Sequence, residues 1–205
     1  MSNIEQYKEN FDRNIERVRS LLKLYRTLKA TEIKEGKDYK FTDVLRGATV
    51  MLHSSFEEYY RNIICFVLPK VCNPEDLKGI SFERNNGNRK EKIELGDILE
   101  FRGRTVDDVI VSSITESLGY TSFNDFKDIA RWAKRIKIDL GEFNGREKLG
   151  NLISRRHRIV HEADNSRGEN GYSLNSIREN TVEEWVSVVC NLVDTINEEV
   201  EKMDI

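Results

Sequence analysis

Three arginines and two histidines occupy seven consecutive positions of this chain, from Arg155 to His161. Arginine carries a permanent, forked positive charge that suits phosphate, and histidine exchanges protons near neutral pH. A cation over a phosphate, together with a proton donor and acceptor, is what phosphodiester chemistry requires. These residue types therefore predict a site that acts on a nucleic acid, with a solvated basic helix end as the simpler interpretation.

The hydrophobic spacing predicts that this segment lies on a helix over residues 146–163. At the helical repeat, its apolar residues form one stripe, and Arg156 lies in the middle of that stripe, whereas Arg155 and Arg158 point elsewhere. The stripe comprises Leu149, Leu152, Ile153, Ile159, Val160 and Ala163. A charged group on a core-facing line is costly to bury without a partner. We therefore expect Arg156 either to form an ion pair or to face a cleft.

His157 and His161 are one helical turn apart, so we expect their rings to lie side by side next to Arg156. The helix is predicted to end soon after His161, where the carbonyl groups favour a protonated imidazole and thus a general acid.

On a second predicted helix, Glu57 is the candidate counter-ion for Arg156. A solvent-facing acid remains the alternative interpretation of Glu57.

The elements that must position these residues are predicted to be helices. Apolar spacing predicts helices over residues 3–30, 42–68, 106–118, 123–137, 146–163 and 182–203. Capping patterns begin at Thr105, Ser122 and Thr181, and Pro69 is predicted to end the second helix. Residues 31–40 and 164–173 are predicted to be polar loops, and residues 72–104 a loop-rich insertion with a short helix around 93–99.

No strand-like alternation of useful length is present, so the predicted fold class is all-α. We expect an antiparallel helical bundle of four to five main helices, formed by residues 1–205 as a single domain. Without a signal sequence or an apolar run of roughly 18 residues, we expect a cytoplasmic protein with no membrane partner.

The charge is unevenly distributed along a chain whose net charge is only −3. That small total argues against a protein that coats nucleic acid non-specifically. However, residues 131–158 hold nine Lys or Arg and three Asp or Glu, whereas residues 179–205 hold eight Asp or Glu and one Lys. This asymmetry predicts one face that meets RNA or DNA while the rest of the surface repels it.

The segment from Arg156 to His161 resembles the R-x4-H signature of the HEPN superfamily. The longer string LISRRHRIVHEAD is similar to the RiboL-PSP type of HEPN domain, and LRGATVMLHSSFEEYYRNII is similar to the second helix of that type. The resemblance implies an all-α, metal-independent endoribonuclease in which two protomers pair, so that their motif helices face one shared cleft. It also implies a bacterial toxin or anti-phage defence effector, restrained by an antitoxin or regulatory partner.

Carried onto this chain, the resemblance assigns Arg156 to the charge that builds on the phosphate and His161 to proton transfer. His157 occupies the polar position of the signature, where the family more often has asparagine or aspartate, and is a candidate supporting residue. Arg155 and Arg158 are candidate RNA-binding residues. The 2′-hydroxyl of RNA lies next to its own phosphate, so internal transesterification to a 2′,3′-cyclic phosphate needs no metal or other cofactor.

Two alternatives remain open from the sequence. The spacing of His157 and His161 lets both imidazoles bind one metal ion. The remaining ligands would come from Glu162, Asp164 or His53. Against this, Arg156 and Arg158 oppose a cation, and position 158 lacks the glutamate of the H-E-x-x-H motif. The second alternative is a non-catalytic HEPN-like module that binds RNA or another protein, since geometry decides catalysis.

Overall fold

A computed structural model describes residues 3–35, 41–82, 94–168 and 171–205 of the chain. Its helices are α1 (Asn3–Glu35), α2 (Thr42–Val71), α3 (Leu95–Ile98) with a following 3-10 turn (Leu99–Phe101), α4 (Val106–Gly119), α5 (Phe126–Arg135), α6 (Arg146–Glu162) and α7 (Glu179–Glu201). Strands β1 (Asn165–Gly168) and β2 (Gly171–Leu174) form a hairpin between α6 and α7. The all-α prediction is confirmed: five helices in these ranges have 14 residues or more.

Helix α2 is the centre of the bundle and contacts α1, α4, α5, α6 and α7. It can do so because buried side chains cover more than one of its faces, among them Leu45, Leu52, Phe56, Tyr60, Ile64 and Leu68. Tyr7 packs against Phe66, and Phe11 packs against Tyr59, so α1 and α2 run antiparallel. The motif helix α6 packs against α2 and so borders this apolar core.

Helix α2 continues through Pro69 to Val71, so the prediction that Pro69 ends this helix is wrong. A proline in the last turn removes only its own N–H, and the N–H of Cys72 still donates to the carbonyl of Leu68. Helix α1 likewise extends to Glu35, five residues into the predicted loop; residues 36–40 lie outside the described residues.

Of the three capping predictions, the one at Thr105 is confirmed by a reciprocal capping box with Asp108. Helix α5 begins later than predicted: its N-cap is Asp125, because Phe123 is drawn into the core against Tyr60. Helix α7 begins earlier, at Glu179, which places the predicted cap Thr181 inside the helix.

The segment predicted as a polar loop after α6 contains the β-hairpin. Asn165 pairs with Leu174, and Gly168 pairs with Gly171. Both strands are largely exposed on both faces, so no buried face imposes the apolar alternation by which strands are recognised in a sequence. The hairpin is joined to α6 by Asn175, whose N–H donates to the carbonyl of Asp164 at 2.9 Å.

In the predicted insertion, α3 and the 3-10 turn lie close to the expected short helix, while residues 83–93 lie outside the described residues. Leu95 and Leu99 of this segment are exposed. Within the described ranges, a bilayer-spanning helix is not found, since none of the helices combines enough length with enough apolar character.

Candidate active site

Helix α6 is buried only along its first half. Leu149, Leu152 and Ile153 are in the core, but Ile159 is half-buried and Val160 is 48% exposed. The predicted apolar stripe is therefore wrong for the last turns of the helix, because the described elements of the bundle do not cover them. The motif residues consequently lie on the part of α6 that turns outwards to the surface.

Arg156 lies at a cleft, which is one of the two arrangements that the sequence predicts. It is half-buried, and its Nε is shielded from solvent with no hydrogen-bond partner among the described residues. The cavity beside it has a volume of about 280 Å³. The cavity is lined by His53, Asn124, Ile153, Ser154, Arg156, His157 and Arg158. Helices α2 and α6 and the segment before α5 thus meet at the guanidinium.

The predicted ion pair between Glu57 and Arg156 is wrong. Glu57 Oε2 lies 3.6 Å from Nδ1 of His53, and Glu57 Oε1 lies 3.7 Å from Nη2 of Arg61. The backbone N–H of Phe123 also donates to Glu57 Oε1, at 3.3 Å. His53 and Arg61 are each one turn from Glu57 on the same helix, so they reach its carboxylate before a residue of α6 can.

His53 is the buried histidine of the site, with 2% of its surface exposed. Burial lowers the pKa of His53 below its ordinary value, and the positive charge of Arg156 lowers it further, while Glu57 acts in the opposite direction. The imidazole is therefore neutral at pH 7. Neither of its ring nitrogens has a hydrogen-bond partner in the described part of the chain.

The prediction that the rings of His157 and His161 lie side by side is confirmed. Their centroids are 4.6 Å apart, and both residues are exposed. His157 lines the cavity with Arg156, whereas His161 lies one turn further, in the last turn of α6. A guanidinium and an imidazole that line one cavity, with a second imidazole against the first, could bind a phosphate and exchange protons with it.

Arg155 and Arg158, both predicted to bind RNA, are in different environments. The Arg155 side chain is only 11% exposed, and its Nη2 donates to Asp164 Oδ2 at 2.8 Å and to the carbonyl oxygens of Asn175 and Ser176. These contacts give Arg155 a structural role, and RNA binding by Arg155 stays a prediction. Arg158 is half-buried and lines the cavity beside Arg156, where it remains a candidate for phosphate binding.

A buried charge cluster supports the end of the motif helix, and the sequence did not reveal it. Asp164 is fully buried, and its Oδ2 accepts from Arg46 Nε at 2.7 Å as well as from Arg155. Arg46 also donates to the carbonyl oxygen of Asn175 at 2.6 Å. The sequence does contain one indication of this cluster. Arg46 and His53 are charged or polar residues, and both occupy positions on the buried, largely apolar face of α2.

The residues named for the alternative metal site are not brought together. Asp164 is held by Arg46 and Arg155, so its carboxylate is not directed at His157 and His161. In the described ranges, no three His, Cys, Asp or Glu side chains are grouped in a way that could hold a metal ion.

An all-α bundle with an R-x4-H sequence on its penultimate long helix has the features of a HEPN-type domain. The sequence model of the RiboL-PSP-HEPN family matches residues 12–202, and the chain belongs to this family. Membership indicates an RNA-related function, either cleavage or binding. Searches among curated proteins and among solved structures gave no match.

Proposed function

We propose that this protein is a metal-independent endoribonuclease that cleaves RNA through attack of a 2′-hydroxyl on the adjacent phosphate. The observation that carries the proposal is the environment of Arg156. Its buried Nε–H has no partner among the described residues, it lines a cavity together with His157, and the His157 ring packs against that of His161. A fixed cation with proton-transfer groups beside it suits a phosphate that gains charge during the reaction.

In the proposed reaction, the 2′-oxygen loses its proton to a base and forms a bond to phosphorus. The bond between phosphorus and the 5′-oxygen breaks, and the products are a 2′,3′-cyclic phosphate and a free 5′-hydroxyl. Arg156 stabilises the extra negative charge on the phosphate, and His161 supplies the proton to the leaving 5′-oxygen. His157 supports His161, and Arg158 binds a neighbouring phosphate.

The proposed active unit is a homodimer with a composite cleft. One chain offers a single Arg156 and one pair of histidines, and two copies related by a twofold axis supply both an acid and a base from equivalent imidazoles. Val160, exposed among the motif residues, becomes covered in such a contact. The family resemblance implies the same arrangement.

The biological setting that we propose is a bacterial toxin or anti-phage effector in the cytoplasm. A nuclease that needs neither metal nor cofactor is active whenever RNA reaches it, so it requires restraint by an antitoxin or another regulatory partner. This part of the proposal rests on the family resemblance.

Incubation of the purified protein with total RNA in excess EDTA tests the proposal. We expect cleavage with cyclic-phosphate ends, and a rate lower by about 10² or more for Arg156→Ala and for His161→Ala, because each change removes a charge-stabilising or proton-transfer group. Arg19→Ala on α1 is the matched control, since Arg19 is exposed and pairs only with its helix neighbour Glu16 among the described residues.

Cleavage by both variants at the wild-type rate would refute the site assignment. Activity that EDTA abolishes and zinc or manganese restores would favour a metal site at His157 and His161. Tight RNA binding without any cut ends would favour the non-catalytic binding module.

A further inference from the structure

In the described ranges, two buried polar side chains that lack hydrogen-bond partners line the same cavity. Both ring nitrogens of His53 and the Nε of Arg156 are shielded from solvent, and each has no hydrogen-bond partner among the described residues. Buried polar groups are nearly always hydrogen-bonded, because their lost hydration must be replaced. The two groups therefore point to a contact that forms when the site is occupied.

The neighbours of His53 determine which of its nitrogens accepts a hydrogen bond. Nδ1 lies 3.6 Å from the Glu57 carboxylate, a group that only accepts when it is ionised, so the ring proton is favoured on Nδ1. Nε2 then carries the free lone pair of the neutral ring. Within the part of the chain that the structure describes, Arg156 Nε–H is a donor that lacks an acceptor, and His53 Nε2 is an acceptor that lacks a donor.

On the basis of the proposed RNA-cleaving function, we propose that His53 is a positioning residue that links Glu57 to Arg156. In the occupied site, Nδ1–H of His53 faces Glu57, and Nε2 accepts a hydrogen bond from the Arg156 guanidinium. This bond fixes the plane of the guanidinium and directs its remaining N–H groups towards the phosphate. Glu57 thus acts on Arg156 through His53 instead of by a direct ion pair.

Among the described residues, the ionisable groups around His53 are Glu57 and Arg61 on α2 and Arg156 on α6, and His157 and Arg158 of α6 line the same cavity. The segment before α5 contributes the backbone of Phe123, which raises the pKa of His53 and whose N–H donates to Glu57. Protonation of Nε2 would replace the acceptor with a donor and place a second positive charge beside Arg156. The link therefore requires a neutral imidazole. Glu57 keeps the ring in the required tautomer.

The first arm of the test compares His53→Gln with His53→Leu in the RNA cleavage assay. A glutamine places an acceptor near the position of Nε2, whereas leucine fills a similar volume with no polar atom. We expect His53→Leu to lower kcat by about 10-fold to 10²-fold with little change in KM, and His53→Gln to recover most of that loss. Equal activity of His53→Leu and wild type, or equally low activity of both variants, would overturn the proposal.

The second arm does not depend on RNA cleavage. The ring C–H signals of the three histidines are followed by NMR as a function of pH, and the His53 signal is identified by its loss in His53→Gln. We expect the pKa of His53 to rise in Arg156→Ala, because a nearby positive charge is removed, and to fall in Glu57→Gln, because a negative charge is removed. A His53 titration unchanged in both variants would refute the link. If the wild type cuts no RNA, the proposed function fails, and this arm alone decides whether His53 links the two residues.

Discussion

At the scale of single residues, Arg155 and Arg156 are neighbours in the sequence with opposite tasks. Arg155 is directed inwards, where it neutralises the buried carboxylate of Asp164 together with Arg46. Arg156 lines the cavity, and no ion pair with it is found among the described residues. The difference arises because successive residues of a helix point in directions about 100° apart. One arginine holds the helix end in place, and the other remains available for a ligand.

This difference predicts opposite outcomes for two alanine variants. Arg155→Ala should lower the free energy of unfolding by about 2–3 kcal/mol, because Asp164 stays buried with one charged partner fewer. Arg156→Ala should change it by less than about 1 kcal/mol, since Arg156 forms no ion pair with the described residues. Urea denaturation followed by circular dichroism measures both values. Equal destabilisation by the two changes would show that Arg156 also has a structural role.

At the scale of elements, the junction between α6 and the hairpin sets the position of the motif. Ala163 and Asp164 both adopt left-handed backbone conformations, with φ of 48° and 57°. The backbone N–H of Asp164 donates to the carbonyl of Arg158, which closes the helix end. This change in backbone direction turns the Asp164 side chain into the protein interior. There its carboxylate accepts a hydrogen bond from Arg46 of α2. Aspartate tolerates the left-handed region, whereas alanine is strained there.

Ala163→Gly should therefore stabilise the protein, because glycine adopts this conformation without the clash of a Cβ atom. We expect a gain of about 0.5–1 kcal/mol in the free energy of unfolding, reduced by the greater freedom of glycine in the unfolded chain. The matched control is Ala130→Gly, in the helical conformation of α5, which should lose about 1 kcal/mol. A loss of stability in both variants would contradict the left-handed assignment at Ala163.

At the scale of the whole molecule, the bundle exposes the motif end of α6 next to an apolar side chain. Val160 lies between the two motif histidines in the sequence and is 48% exposed, although its type and spacing suit a buried position. A twofold contact at the proposed composite site would bring the Val160 side chains of two protomers together, because a twofold axis pairs the same surface of each copy. Both apolar side chains would then be buried.

Val160→Glu should disrupt the dimer, because it places two carboxylates opposite each other at the axis. We expect light scattering to give twice the chain mass of 23.9 kDa for the wild type, the monomer mass for Val160→Glu, and a loss of RNA cleavage in that variant. Val111→Glu on α4 is the matched control, since Val111 is similarly exposed, at 43%. A strictly monomeric wild type with full activity would refute the composite cleft.

Local patterns in the sequence were sufficient for the helices and for the pairing of His157 with His161. Both depend on the helical repeat, which relates residues three or four positions apart. The ends of the helices were predicted less well: Pro69 lies within α2, and Phe123 is drawn into the core instead of opening α5. At Phe123, packing outweighed the local preference for a cap, and at Pro69 the last helical turn tolerated the missing N–H.

The sequence by itself determined the all-α class, the motif and its place on a helix, because each is encoded by neighbours along the chain. Only the tertiary structure decided which motif residues are free. Arg46 and Asp164 are 118 positions apart, and the carboxylate that Arg46 contacts also pairs with Arg155. The Glu57 carboxylate lies near His53 and Arg61 on its own helix and, among the described residues, forms no ion pair with Arg156. The contact of Arg46 with Asp164 depends on how α2 packs against α6, and this relation between distant segments has no periodic signal in the sequence.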